Sequence, residues 1–176
     1  DIFGIIIDVK EKTIVSPYFP YTREYVIDNA KDDVWKQFLN VTDNSSLHFL
    51  PSKEGAVLRW WYLKREDKWF LSTCKKIDST VKKWANNKFG ILFSELYGIE
   101  DVATGPFKEK RDSDGKHVFF FLLSDPDNRL VSNVDSESIT YLNEFVMDND
   151  TGVWKYMLEM DDFFVEKGIK RQQRMD

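Results

Sequence analysis

Two apolar runs separated by a short charged loop constrain the fold of this sequence more than any other feature. Both lie within Ser52–Ser79: the first is Ala56–Leu63 (AVLRWWYL) and the second is Trp69–Thr73 (WFLST). Aromatic and β-branched residues favour strands, and the charged loop Arg65–Lys68 is typical of a turn, so the stretch predicts a β-hairpin. A segment rich in hydroxyl groups and lysines follows the hairpin at once.

The positive charge of the chain is concentrated around this hairpin. Residues 51–90 carry 10 basic and 4 acidic side chains, a balance of +6, whereas the balance is −3 for residues 1–50 and −8 for residues 91–176. A basic patch on an otherwise acidic protein attracts phosphates or acidic surfaces. We therefore expect RNA, DNA or other proteins of an assembly to bind through residues 51–90. A solvated, lysine-rich surface is the alternative.

The sparse cysteines and histidines exclude several classes of protein. The single cysteine, Cys74, rules out a disulfide framework and a cysteine zinc site, and the two histidines form no metal-binding pattern. The sequence has no glycine-rich phosphate loop, dinucleotide fingerprint or nucleophile elbow. No apolar run approaches the ~20 residues that span a membrane. No secretory signal is visible, so we expect a protein of a host-cell cytoplasm or of a virion rather than a secreted one.

The remaining periodic segments predict an α+β fold. An apolar content of 42% suffices for a core in 176 residues, and we expect a single domain over residues 1–176 with a mostly antiparallel, twisted sheet and flanking helices. Besides the hairpin, strands are predicted at Ile2–Val9, His117–Leu123, Ile139–Met147 and Val153–Met160. Helices are predicted at Ala30–Leu39, Asp78–Trp84, Phe89–Leu96 and Asp161–Lys167, and a surface loop is predicted at Gly105–Gly115.

Adjacent tryptophans on the first strand of the hairpin offer a candidate contact surface. Side chains alternate along a strand, so Trp60 and Trp61 must face opposite sides of the sheet. One of them is expected in the core and the other against a protein partner or a nucleic-acid base. Burial of both is the alternative. Lys82 and Lys83, which follow the hairpin, are candidates for the same interface.

Lysine is the residue from which catalysis could come in this chain. A lysine amine can attack the α-phosphorus of a nucleotide when part of it is neutral, and carboxylates and further cations must then hold the metal and the phosphates. Around the hairpin the side chains of suitable type are Lys53, Glu54, Arg59, Lys75 and Lys76. Many surface hairpins carry side chains of these types, so the pattern alone does not distinguish a nucleotide site from an ordinary exposed hairpin.

The chain contains three segments, Lys53–Arg59, Trp69–Ser79 and Phe119–Val131, that together resemble the nucleotidyltransferase domain of phage-type RNA ligases and the RNA-ligase-like proteins of large DNA viruses. Lys53–Arg59 (KEGAVLR) is similar to the first motif, in which a lysine and an acidic residue precede a glycine and a strand. Trp69–Ser79 is similar to the next strand and its lysine-rich turn. Phe119–Val131 (FFFLLSDPDNRLV) resembles the third motif, an apolar strand that runs into a turn. The order and spacing agree over about residues 50–162.

The resemblance implies a fold, a cofactor and a set of site residues. Residues 56–63, 68–74, 117–124 and 139–147 should share one sheet around the Lys53 loop. An active member of the family would use ATP and Mg²⁺ and form an adenylate on Lys53. The residues implied in nucleotide binding are Glu54, Gly55, Arg59, Lys75, Lys76 and Arg129.

This sequence departs from the family at the positions that carry catalysis. The nucleophilic lysine of the family stands three residues before the glycine, where this chain has Ser52, and the glutamate of the third motif corresponds to Leu122. The fourth and fifth motifs have no counterpart. We therefore expect a ligase-like domain that has lost catalysis and serves as a binding or structural protein, such as a minor capsid protein. An active ligase and an unrelated α+β interaction module are the alternatives.

Overall fold

The computed structural model describes residues 4–18, 53–80, 89–106, 116–128, 134–157, 160 and 162–171. All of these residues belong to one compact unit, formed by residues 1–19 and 52–172. Within the described ranges, no helix is long and apolar enough to cross a membrane.

The structure is an α+β fold built on a mostly antiparallel sheet, as the sequence predicts. The strands are β1 (Ile6–Asp8), β2 (Thr13–Ser16), β3 (Ala56–Leu63), β4 (Lys68–Thr73), β5 (His117–Ser124), β6 (Ser138–Met147), β7 (Trp154–Met157) and β8 (Lys170–Arg171). Strands β1 and β2 pair with each other, and the main sheet has the order β4-β3-β5-β6-β7 with β8 parallel to β6. The helices are α1 (Phe89–Tyr97) and α2 (Asp162–Glu166).

The predicted hairpin is confirmed, and it lies beside the other strands that the resemblance groups with it. Strand β3 pairs antiparallel with β4 across the predicted turn. Its other side pairs with β5, which in turn pairs with β6. Three turn residues, Lys64–Glu66, and a left-handed Asp67 connect β3 to β4. The four segments expected to share a sheet therefore do so.

The main sheet is apolar on both faces, and each face packs against a different part of the chain. On the helix face, which includes Trp60, Phe119 and Phe121, the sheet packs against α1 and against Phe164 of α2. The opposite face includes Trp61 and Phe120 and packs against the separate hairpin formed by β1 and β2. We call it the hairpin face for that reason. Burial on both sides explains why β3 and β5 have continuous apolar runs rather than an alternation of apolar and polar residues.

Element boundaries agree with the predictions where residues are described, with small shifts. Helix α1 ends where Gly98 adopts a φ of 75° and donates its N–H to Ser94 O at 2.9 Å, as expected of a glycine C-cap. Strand β1 is shorter than predicted, and the final helix ends one residue early, at Glu166. The predicted helix at residues 30–39 and residues 81–84 of that at 78–84 lie outside the described residues. Residues 78–80 are not helical, because Ser79 bonds to Leu71 of β4 instead.

One loop prediction needs correction. Gly105 and Pro106, the start of the predicted surface loop, are buried. Gly105 has a φ of 80° and lies against the ring of Trp69 so closely that a side chain would overlap it. The charge and proline content of the segment suggested solvent exposure, but a buried tryptophan from β4 covers its first residues.

Candidate functional site

The loop before β3 brings the candidate nucleophile to one end of the main sheet. Lys53 is exposed, and the next residue, Glu54, is half-buried. The backbone carbonyl of Glu54 accepts a hydrogen bond from Ser124 Oγ at 2.8 Å, which ties the loop to the end of β5. The Lys53 side chain therefore starts from an anchored backbone and extends into solvent.

Gly55 has a packing role at this point. A Cβ atom on Gly55 would lie 2.5 Å from the carbonyl oxygen of Leu123 and 3.0 Å from the side chain of Leu122. The absence of a side chain therefore lets the start of β3 approach β5 closely. This packing contact explains why position 55 is a glycine, and no bound nucleotide is needed to explain it.

The two lysines after β4 lie at the same end of the sheet as Lys53. Thr73 N donates to Lys76 O at 2.9 Å, and Thr73 Oγ1 accepts from Lys76 N at 3.1 Å, so the chain turns back at once. Lys75 is exposed. Lys76 is half-buried, and its Nζ atom is buried without a hydrogen-bond partner, so an anion near this ammonium group would be favourable.

Arg59 is buried and bonded to the protein itself, which corrects its predicted nucleotide contact. The residue is 6% exposed, and its guanidinium donates hydrogen bonds to the carbonyl of Gly4 and, at 3.1 Å, to that of Pro17. Burial lowers the pKa of Arg59 to about 10 because desolvation disfavours the charged form. Arg59 thus holds the residues that flank β1 and β2 against the hairpin face.

Both tryptophans of β3 are buried, so the expected exposed contact at one of them is wrong. Trp60 is 0% and Trp61 is 2% exposed, on opposite faces as the strand geometry requires. Trp60 Nε1 donates to Val102 O at 3.0 Å, and Trp61 Nε1 donates to Ser72 Oγ at 2.6 Å. Because β1 and β2 cover the second face, neither indole can stack on a base or a partner.

The position of the third-motif glutamate is apolar in space as well as in sequence. Leu122 is 6% exposed and pairs with Val57 across β3 and β5. In the described part of the chain, no group of three or more His, Cys, Asp or Glu side chains could hold a metal ion. No family profile matches this sequence, and no curated protein matches it. The role of this sheet end is therefore inferred from its own side chains.

Apart from Arg59, the described basic residues of segment 51–90 lie at the two ends of the hairpin. Lys53, Lys75 and Lys76 lie at one end, whereas the turn at the other end carries Lys64 and Arg65. Eight strand residues separate the two ends, a distance of roughly 25 Å. Arg65 is partly neutralised, since its Nε lies 3.7 Å from Asp8 and its Nη2 lies 3.1 Å from Glu66.

Three predicted contact residues cannot be placed. Arg129, Lys82 and Lys83 lie outside the described residues, and their roles remain predictions. The described lysines at this end of the sheet are therefore Lys53, Lys75 and Lys76, and we use the name lysine end for these three residues.

Sequence reasoning missed two features that depend on distant pairing. A cleft of about 410 Å³ lies between the first two strands and the hairpin face, with Ile6 and Trp61 among its lining residues. On the helix face, His117 Nδ1 contacts the carboxylate of Glu144, and the imidazole stacks on Phe119. Only the register of β5 with β6 brings this histidine and glutamate together, so the isolated His117 gave no signal.

Proposed function

We propose that this chain is an RNA-ligase-like domain that has lost catalysis and binds RNA or DNA through the lysine end. The observation that carries the proposal is that three lysines lie at the same end of the main sheet. One of their ammonium groups, Lys76 Nζ, is buried without a hydrogen-bond partner. No ion pair of Lys53 or Lys75 occurs among the described residues.

The architecture supports the ligase-like ancestry. The segments that correspond to the first and third motifs of the family lie on adjacent antiparallel strands, β3 and β5. The Lys53 loop is hydrogen-bonded to the end of β5, so the two motifs meet at one end of the sheet. This agreement of order and pairing is independent of whether the site is active.

The side chains around the lysine end argue against nucleotidyl transfer. Ser52 stands at the position of the family's nucleophile. Leu122 supplies no carboxylate to a ribose or a metal, and Arg59 is already bonded to two backbone carbonyls. A fold can persist after its active site has been lost, and the lysines that remain at this end of the sheet can still bind phosphates.

Phosphate is the ligand that the lysine end fits best. A buried ammonium group without a partner is stabilised by an anion, and two exposed lysines at the same end of the sheet add long-range attraction. Neutralising phosphates releases counterions, which makes such binding fall steeply with salt. Three lysines predict a slope of roughly −2 to −3 for log K against log salt.

The loss of catalysis is tested with labelled ATP and Mg²⁺. The protein is incubated with α-labelled ATP and separated on a denaturing gel, beside a Lys53→Ala variant. We expect no covalent label on either protein. Label on the wild type that disappears with Lys53→Ala would establish an active nucleotidyltransferase and overturn this part of the proposal.

Nucleic-acid binding is tested with a fluorescent single-stranded RNA and its DNA equivalent at several salt concentrations. The double variant Lys53→Gln with Lys75→Gln should bind more weakly and lose about 1.4 units of salt slope on single strands. The matched control, Lys64→Gln with Lys68→Gln, removes the same charge from the far end of the hairpin and should change binding little. Equal losses in the two variants would show that only net charge matters, and absence of binding would refute the role.

Lys76 gives a separate test because its ammonium group is buried. Lys76→Met removes a charge that has no partner in the unbound protein, so it should stabilise the free protein while weakening RNA binding. Urea unfolding and the binding assay measure the two effects. A variant that is less stable and binds RNA normally would show that Lys76 is a structural residue.

A further inference from the structure

Strand β7 forms one edge of the main sheet, and its outer side has no strand beside it among the described residues. It pairs with β6 through Glu144↔Met157 to Met147↔Trp154. Asp148 N donates to Val153 O at 2.9 Å, which fixes the hydrogen-bonded pairs of this hairpin. By alternation, Lys155 and Met157 bond to β6, whereas the N–H and C=O groups of Trp154 and Tyr156 point outward.

Edge strands are commonly protected against pairing, and β7 has neither the proline nor the bulge that often does so. It contains no proline, and its register with β6 has no bulge. Its one charged residue, Lys155, is paired with Asp148. Apolar side chains flank the open edge on both faces: Val153 is 58%, Tyr156 46% and Met157 40% exposed.

The opposite edge of the sheet is closed by the chain itself. Ser79 donates to the carbonyl of Leu71 on β4 through both its N–H, at 2.7 Å, and its Oγ, at 2.8 Å. The turn after β4 also satisfies the backbone N–H of Thr73, which donates to the carbonyl of Lys76. Within the described residues, the contrast singles out β7 as the sheet edge that is open to an added strand.

Charge is distributed along the β7 edge in a way that selects its partner. The turn at one end carries Asp148 and Asp150. At the other end lies β8, with Lys170 and Arg171, because β5 occupies one side of β6 and leaves β8 and β7 on the same side. Strand β8 pairs with β6 at Tyr141, and the last residue of β7 pairs with β6 at Glu144. These two positions on β6 are three residues apart, or roughly 10 Å.

We propose that β7 pairs antiparallel with β7 of a second copy of this chain, about a twofold axis. This arrangement joins the two sheets and satisfies the outward backbone groups of Trp154 and Tyr156 in both copies. It also brings the acidic turn of each copy to the basic β8 end of the other, so that the favourable charge contact forms twice. A parallel arrangement would place like charges together. The inference is independent of the nucleic-acid role, which concerns the lysine end.

The charge contact can be tested by reversal. Sedimentation equilibrium of the wild type over a range of concentrations should show a monomer–dimer equilibrium. Asp150→Lys or Lys170→Asp alone should raise the dissociation constant roughly tenfold at low salt, because each breaks two rim contacts. The double variant restores opposite charges and should recover most of the affinity. Glu95→Lys on α1 makes the same charge change as Asp150→Lys away from the edge and should leave the dissociation constant unchanged.

The strand pairing has its own test in Tyr156→Pro. Proline removes an outward N–H that β6 does not use, and it blocks an added strand. This variant should be monomeric, with circular dichroism confirming that it is folded. A wild type that sediments as a monomer at every concentration would overturn the proposal. So would a dimer that responds to neither charge reversal.

Discussion

Replacement of Gly55 by alanine separates a packing role for this glycine from a role in nucleotide binding. The new Cβ would lie 2.5 Å from the carbonyl oxygen of Leu123 and 3.0 Å from its carbonyl carbon. Both atoms belong to the backbone of β5, which cannot shift without disturbing its pairing with β3 and β6. Overpacking of this kind costs about 1–3 kcal/mol, and the reduced freedom of the unfolded chain returns about 0.4–1 kcal/mol. We expect a net loss of about 1–2 kcal/mol.

Two other glycines calibrate this value. Gly152→Ala has open space around it and only a φ of 67° to oppose it, so it should cost about 1 kcal/mol. Gly105→Ala combines a φ of 80° with overlap of the ring of Trp69, which is 1% exposed, and should cost about 3 kcal/mol or more.

Urea unfolding followed by tryptophan fluorescence measures the three variants side by side, and thermal unfolding checks them. A loss of 1–2 kcal/mol at Gly55 corresponds to a fall in Tm of roughly 2–8 °C. The reasoning is refuted if Gly55→Ala is as stable as the wild type. Gly55 would then be free of the contact with β5, and a loss of ligand binding in that stable variant would restore the nucleotide role that the resemblance implies.

Three further substitutions test contacts around the hairpin and the last turn. Arg59→Met should speed hydrogen exchange of the amides in β1 and β2 while β5 stays protected, because it removes the bonds that hold these strands. Ser72→Ala leaves the buried Trp61 N–H without its acceptor and should cost about 1–3 kcal/mol in urea unfolding. The hydrogen bond from Lys155 and those of the turn hold the pKa of Asp148 below its usual range. Asp148 therefore stabilises the fold above the unfolded pKa of about 3.9, and this contribution is lost as the pH falls through the lower pKa of the folded state. Asp148→Asn should remove this acid-dependent part of the free energy of unfolding. NMR titration of the Asp148 carboxyl should show the lowered midpoint.

The strands of the main sheet could be predicted because their signal is local. Runs such as those of β3 and β5 are rich in aromatic residues and long enough to exclude a turn, and the intervening charged residues mark where the chain reverses. The end of α1 was equally local, since a glycine with positive φ terminates a helix wherever it occurs. The pairing of β3 with β5 came instead from the family resemblance, because the paired residues lie far apart in sequence: Ala56 and Leu123, for example, are 67 residues apart.

The site was harder to predict because the burial and the hydrogen-bond partners of each polar side chain depend on residues that are distant in sequence. Arg59 was a reasonable phosphate ligand from its neighbours in sequence. Its acceptors, at Gly4 and Pro17, are 55 and 42 residues away and become adjacent only when β1 and β2 pack on the sheet. The same packing buries Trp61. The pair formed by His117 and Glu144 also required the register between two strands.

The sequence by itself determined the hairpin, the α+β class and the concentration of positive charge in residues 51–90. These follow from backbone preference and composition, which act over a few residues. Only the tertiary structure decided which of these basic side chains can reach a ligand. It buries Arg59 and separates the remaining described ones between the turn at the far end of the hairpin and the lysine end. It also decided which sheet edge stays open, since the segment after β4 folds back on its own strand and no described segment does so at β7. Burial and edge pairing are set by segments distant in sequence, and local patterns do not record them.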